Sequence, residues 1–356
     1  FTMPSNDVSY VAKFVTLAED HDSIALQMGG FGVLDLTAHA VLTNWAGVYL
    51  AWPLAASALS QPAVKVAGLP AGLKFAAKDV VDKKTGETTV PANTVYGVPS
   101  SASRKDRQGA YVPSKVKVTL EESGEEPLAF TLLVTVKPLP EWAVGTFDGA
   151  CDGGVAKMTV SAAGRLSGKL SAAGAKAVTC GASNFTLREG DRFYADVTFK
   201  AQRESAIGRI VLEPYEAGGL RLGRIFPQDD GLPFGFVLIQ NAWKRSDIAA
   251  PKIPAAGVTW RMGAPSVETG RSGDNELAML VTCPLYGAFT GVTLKLRANG
   301  AVTVTDVRGG RKAVSSAQLL LEEGAENTAV VLVNGDAVRL QLLVDGNVVT
   351  GAAHVE

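Results

Sequence analysis

The sequence predicts an all-β chain, a β-sandwich followed by a duplicated antiparallel β-barrel or sandwich body. Three observations carry that prediction. Apolar and polar residues alternate over short runs: in Lys115 to Leu120, Val116, Val118 and Leu120 take one face and Lys115, Lys117 and Thr119 the other. Turn-forming clusters, fed by 38 glycines and 17 prolines, separate the runs. A strand-turn-strand pattern in the second half of the chain then returns nearer its C-terminus. With 356 residues the chain exceeds one ordinary core, so two or three domains of ~100 to 200 residues are expected.

The first fourteen residues, Phe1 to Phe14, follow a Pro/Ser/Asn/Asp turn with alternating Val8, Tyr10 and Ala12, the pattern of one half-buried strand. Phe1, Met3, Pro4, Asp7, Val8, Ala12 and Phe14 resemble the closing turn and strand of internalin-type bacterial surface repeats. The resemblance implies that residues 1–18 end a preceding repeat. No signal peptide, sorting motif or anchor is read at the ends, and the chain is expected to be a processed or excised part of a longer one.

Residues 19–140 read as a sandwich. DSIALQMGGFGVLDLTAHAVL, VYLAWPLA, AVKVAGLPAGLKF, NTVYGVPSS, KVKVTLEE and PLAFTLLVTVK are strand-like runs between turn clusters. Phe130, Leu132, Val134 and Val136 alternate as strictly as Val116 to Leu120, so these two runs make a hairpin tipped by Glu121 to Glu126. Gly68, Leu69, Pro70, Gly72 and Leu73, with Gly97 and Pro99, resemble the G-L-P-x-G-L strand and x-G-x-P turn of Ig-like modules in bacterial extracellular proteins. That resemblance implies an Ig-like β-sandwich, interrupted by the insert KDVVDKKTGETTVPAN. The KPLPEW motif, Lys137 to Trp142, is a boundary, because two prolines cannot continue central pairing.

Residues 141–356 are expected to form a duplicated β-barrel-like domain with halves 144–245 and 258–356. Gly154 aligns with Gly291, Gly164 with Gly300, Leu187 with Leu321, Gly190 with Gly324 and Val197 with Val331. One closed body of roughly ten strands from both halves is the preferred arrangement, since closure removes exposed edges; two small sheets are the other. Trp142, Gly145, Phe147 and Gly149, then Gly164, Ser167, Gly168, Lys169 and Leu170, then Gln240, Asn241, Trp243 and Lys244 resemble a β-rich module that follows Ig-like repeats in large secreted bacterial proteins. The resemblance implies architecture only.

Chemistry is sparse. The 34 basic and 35 acidic side chains leave a formal net charge of -1, which argues against nucleic acid or an anionic membrane as the main partner. The longest apolar candidate, GVYLAWPLAASAL, falls short of the ~18 residues a spanning helix needs, and it carries Pro53, so no membrane insertion is expected. His21, His39 and His354 form no paired-ligand motif. No G-x-S-x-G elbow occurs, and GGFG at Gly29 to Gly32 lacks the dinucleotide spacing. Asp148 with Asp152, and Asp229 with Asp230, sit in Asp/Gly-rich turns that either shape hairpins or chelate calcium. The same loop carboxylates, with Asp274 and Glu276, are the candidates for a glycosidase pair, which needs two groups ~5 to 10 Å apart. Cys151 and Cys180 either form a disulfide or stay buried thiols; with Cys283 they are too few for a disulfide framework.

Trp45, Tyr49, Trp52, Trp243 and Trp260 are the candidate ligand-stacking residues, although Tyr49 and Trp52 fall on opposite faces of a strand, so at least one of them is expected in the core. The reading that follows is a non-catalytic extracellular adhesion, assembly or spacer module of a large bacterial surface protein. A carbohydrate-binding accessory module is the alternative, and a glycan-active hydrolase the third. Its partners are expected to be neighbouring domains, other surface proteins or glycans, and no cofactor beyond calcium is implied.

Overall fold

Period-two alternation has its expected result: the chain is all-β, and among the described residues only two three-residue 3-10 turns, Glu141–Ala143 and Ala242–Lys244, interrupt strands and loops. The computed structural model describes residues 26–28, 32–34, 40–56, 63–121, 127–151, 154–172, 176–228, 235–253, 258–261, 269–272, 275–279, 292–306, 313–321, 327–333, 336–345 and 348–355. The strand expected at Phe1 to Phe14 and the hairpin tip at 122–126 lie outside them. Contacts divide the chain into two units, one of residues 1–139 with the loops Ala162–Gly164 and Asn184–Arg188, the other of the remainder.

In the first unit the strands are β1 (Leu26–Met28), β2 (Gly32–Leu34), β3 (Ala40–Trp45), β4 (Leu50–Ala56), β5 (Ala63–Ala67), β6 (Leu73–Ala76), β7 (Val80–Val81), β8 (Thr88–Val90), β9 (Thr94–Gly97), β10 (Ser114–Glu121) and β11 (Leu128–Lys137). They form a five-stranded sheet β2-β1-β4-β9-β6 and a four-stranded sheet β3-β11-β10-β5, with β7 and β8 as a separate ribbon. Leu50, Trp52 and Val95 of the first sheet share one buried cluster with Leu42, Val118 and Leu132 of the second, which makes the pair a sandwich. The β10–β11 hairpin sets Val118 opposite Phe130 and Val116 opposite Leu132, all buried. Truncating one such side chain to alanine costs about 2–5 kcal/mol. Strand β3 runs parallel to β11, pairing Leu42 with Val134.

The glycines of the G-L-P-x-G-L run answer to close backbone approach. Gly72 has φ 94° and Gly97 φ 127°. A Cβ on Gly72 would lie 2.0 Å from the Val98 carbonyl oxygen, and one on Gly97 would lie 2.4 Å from that of Gly72. Only glycine lets the two chains meet there.

The second unit contains β12 (Gly145–Cys151), β13 (Gly154–Val160), β14 (Leu166–Ala172), β15 (Val178–Ala182), β17 (Arg192–Ala201), β18 (Glu204–Ala217), β19 (Leu220–Pro227) and β20 (Phe236–Gln240); β16 (Leu187–Glu189) starts in the Asn184–Arg188 segment of the first unit. Successive antiparallel pairings run β15-β14-β13-β12-β20-β19-β18-β17, and β15 pairs again with β17 through Thr179–Lys200, Cys180–Phe199 and Gly181–Thr198. Eight strands therefore close a ring. Its inward positions hold Phe147, Met158, Val197, Phe199, Ile210, Leu212, Ile225 and Leu238, every one at 2% exposure or less. At this strand number side chains fill the interior, leaving a packed core instead of a pore. Outward positions on the same strands carry Asp148, Lys157, Lys169, Asp196 and Arg209. Among the described residues no helix is long and apolar enough to cross a membrane.

The ring closes within residues 145–240, which corrects the preference for one barrel built from both halves. The reason is the β15–β17 pairing, which consumes the two edges that the other half would have joined. Of the two readings of the cysteines, the buried-thiol one describes the structure. Cys151 on β12 and Cys180 on β15 are buried thiols with no bond between them. Two strands intervene, so their backbones stand about three spacings of ~4.8 Å apart along the sheet, beyond the ~4.4–6.8 Å that a disulfide spans. Burial pushes the Cys180 thiol up to about 12.

The following strands are β21 (Val258–Arg261), β22 (Thr269–Ser272), β23 (Asn275–Met279), β24 (Val292–Leu296), β25 (Ala301–Asp306), β26 (Ala313–Gln318), β27 (Leu320–Leu321), β28 (Asn327–Val333), β29 (Asp336–Asp345) and β30 (Val348–Val355). They pair in the order β26-β25-β24-β21-β22-β23-β30-β29-β28-β27, with β23 parallel to β30. Leu320 and Leu321 join a buried cluster with Ala217, Leu222, Ile239 and Ala242 on the outer side of the barrel.

Candidate functional site

The outer wall of β12, β13 and β14 forms one side of a cleft of about 440 Å³; Asn299, Ala301 and residues of β26 and β27 form the other. Alternation decides which side chains reach it. Phe147 and Met158 point into the barrel, so Asp148 and Lys157, one residue along, point out. Lys169 and Ser171 flank the inward Leu170 in the same way. Lys244 comes from the 3-10 turn after β20.

Gln240 and Asn241 build that turn, and both are 1% exposed. The Gln240 side-chain amide donates to the carbonyls of Glu141 at 2.7 Å and Val144 at 2.5 Å, tying the strand end to the turn that carries Trp142. Its Oε1 accepts from Arg245 Nη1 at 2.9 Å. Asn241 caps the turn, its Oδ1 accepting from the Trp243 amide at 3.1 Å. The other end of the Asn241 side chain donates from Nδ2 to Asp148 Oδ2 at 3.3 Å. One asparagine thus orients both the turn bearing Lys244 and the carboxylate in the cleft.

Lys157 and Lys244 face this aspartate, and Lys169 lines the same cleft. Lys157 Nζ stands 3.9 Å from Asp148 Oδ1. Burial holds the Asp148 carboxyl above its ordinary range, and Lys157, Lys244 and Asn241 only partly offset it. Lys244 is held below the usual lysine range, first by burial, then by the neighbouring Lys157, with Asp148 opposing. Among the described lining residues the ammonium groups outnumber the carboxylate, and a low-dielectric wall strengthens their field. On the opposite wall the Gln318 side-chain amide donates to the Asn299 carbonyl at 2.9 Å, holding the β24–β25 turn.

The aromatic candidates do not assemble into one platform. Trp52 lies in the sandwich core at 8% exposure, which removes it as a stacking surface. Trp45 is half-buried, with the Arg188 guanidinium 3.8 Å above its ring. Tyr49 is half-buried, and burial followed by Tyr96 raises its hydroxyl above the usual tyrosine range. Trp243 donates from Nε1 to the Pro251 carbonyl at 3.1 Å and packs beside Gly300, where a Cβ would come within 2.7 Å of its ring. Trp260 pairs with Leu294 through the β21 backbone, but its side chain lies outside the described residues.

Of the calcium candidates, Asp152, Asp229 and Asp230 lie outside the described residues, as do Asp274 and Cys283. Asp148 is described, and its charged neighbours are lysines, a setting that disfavours a cation. Among the described residues no group of three or more His, Cys, Asp or Glu side chains gathers to hold a metal ion.

Lys157 was missed by sequence reasoning as a site residue. Lys169, Asn241 and Lys244 already stood in the G-K-L and Q-N-x-W-K patterns, where they were read as architecture. For Lys157 and Lys169 the signal is the strand face, each one step out of phase with the apolar residues of its run; Asn241 and Lys244 lie at a 3-10 turn, where alternation gives no such signal. No family model, curated protein or solved structure matches the chain.

Proposed function

We propose that the chain is a non-catalytic extracellular module of a large bacterial surface protein, serving adhesion, assembly or spacing. The observation that carries this reading is the barrel of residues 145–240, whose interior is filled with apolar side chains while charged groups occupy its outer wall. Such a body works as a rigid support, with its outer surface as the part that meets other molecules. The orientation is also the reverse of a membrane barrel, which is apolar outside.

The sandwich of two sheets around one core supports an Ig-like module over residues 19–140. A duplication of 144–245 in 258–356 is supported by matching turns. Gly164 at φ 74° joins β13 to β14 and Gly300 at φ 73° joins β24 to β25. Ser161 bonds across the first turn to Arg165 at 2.9 Å and Arg297 across the second to Ala301 at 2.9 Å. Leu187 and Leu321 fall on β16 and β27, Val197 and Val331 on β17 and β28.

The second reading, a carbohydrate-binding accessory module, is favoured by the cleft, whose volume falls in the ~300–1,000 Å³ range of small-ligand sites. The test is a glycan and extracellular-matrix array probed with the purified chain, with and without calcium, followed by assay of the bound glycans for new reducing ends. Saturable binding without cleavage is the expected result. Appearance of reducing ends would move the chain to the hydrolases.

A further inference from the structure

We propose that the cleft on the barrel wall binds an anionic saccharide, its acidic group held between Lys157 and Lys244. The proposal rests on the binding-module reading and names the ligand class for that surface. Three features of the site lead to it.

The first is charge. Among the described residues, Lys157, Lys169 and Lys244 line the cleft together with one carboxylate, Asp148. Lys157 and Lys244 disfavour one another, since the proximity of Lys157 helps to hold Lys244 below its usual range. An acidic group between them relieves that repulsion. A neutral ligand does not, so the site discriminates by charge.

The second is orientation. Asp148 is fixed by the buried Asn241, which also caps the turn presenting Lys244. The carboxylate is thereby held on the cleft wall beside Lys157 and Lys244, where its one negative charge cannot balance both ammonium groups and leaves room for a second acidic group between them. The third is the remaining lining. Ser171, Ser316 and Gln318 offer neutral donors and acceptors, and Val155, Ala301 and Leu320 offer small apolar contacts. Hydroxyl groups and C–H faces, both present on a sugar ring, complement that mixture. Carboxylated and sulfated sugars share the required chemistry.

The test is titration calorimetry of the whole chain with four probes: oligogalacturonate, its methyl ester, a sulfated oligosaccharide and a poly-glutamate peptide. Saturable binding of an acidic saccharide, absent with the methyl ester and weakening as salt rises, is expected. The carboxylated and sulfated probes separate the two sources of charge. Lys157→Gln with Lys244→Gln should weaken that binding by about tenfold or more; both side chains are on the surface, and a thermal melt checks that the variant folds. Asp148→Asn should tighten binding, because it removes a competing negative charge. Equal affinity for the methyl ester, indifference to the double substitution, unchanged or weaker binding in Asp148→Asn, or equal capture of poly-glutamate would each overturn the proposal. So would failure of both acidic saccharides to bind. Saturable binding to some other component of the array would in that case leave the module reading standing, whereas a blank array would remove adhesion as well.

Discussion

Residues 145–240 and 258–355 lay out their strands in the same two arms and finish differently. In the first, one arm runs β12-β13-β14-β15 and the other β17-β18-β19-β20, with β16 beyond β17 as β27 lies beyond β28; the arms meet at β12–β20 and again at β15–β17. In the second, the arms are β21-β24-β25-β26 and β27-β28-β29-β30, and the β22–β23 hairpin separates them. Strand β23 then joins β30 in parallel. At the far ends, no pairing between β26 and β28 is present among the described residues. Similar strand order does not by itself decide between a ring and a sheet; the edge pairings do.

The sharpest way to break that comparison is to remove the closing pairing. Thr198 pairs with Gly181 on β15 and with Ile207 on β18, so its strand is central on both sides. Proline there removes a ladder hydrogen bond and places a ring in a position central strands exclude. Thr198→Pro should abolish the cooperative unfolding of the barrel, while the β21–β30 sheet keeps its strand signal. Hydrogen exchange resolved by segment reads both at once. Retention of protection across β15 and β17 would mean that closure does not carry the barrel's stability.

Next in size is the core. Phe147 is 0% exposed inside the ring, and Phe147→Ala should cost about 3–5 kcal/mol in denaturant unfolding. Leu320 is 5% exposed and lies where the second sheet packs on Leu222 and Ile239. Leu320→Ala should cost about 2–5 kcal/mol. If the barrel stands on its own ring, this second loss falls on the β21–β30 region and leaves the barrel's midpoint in place. A common shift in both regions would instead show that the ring depends on the sheet packed against it.

Local alternation makes much of the fold legible. The faces of β10, β11, β13 and β17 follow from single runs of sequence, because a side chain's direction on a strand is set by its neighbours. Closure, the parallel β3–β11 pair and the insertion of β22–β23 are relations between distant strands, and nothing in one run announces its partner. The site follows the same division. Asp148 was visible as a turn carboxylate, yet its character comes from Lys157 across the strand and Asn241 far along the chain. Alternation places Tyr49 and Trp52 on opposite faces, and only the second sheet shows that Trp52 is the one in the core.

The smallest effect concerns Asp148, and its sign separates a strained carboxylate from a stabilising one. Burial raises its folded-state pKa above the unfolded value, despite Lys157 and Lys244. Folding therefore favours the protonated acid: the group's contribution is fully present below the unfolded pKa and is lost as pH rises through the folded one. At neutral pH the ionised carboxylate is a net cost, so Asp148→Asn should raise the midpoint of thermal unfolding there, and the gain should fade as pH falls below both pKa values. The arrangement also locates the cost in the barrel wall, so the shift belongs to that transition alone. A fall in stability at pH 7 would mean that the contacts to Lys157 and Asn241 outweigh burial, and that the cleft is built around its carboxylate instead of its lysines.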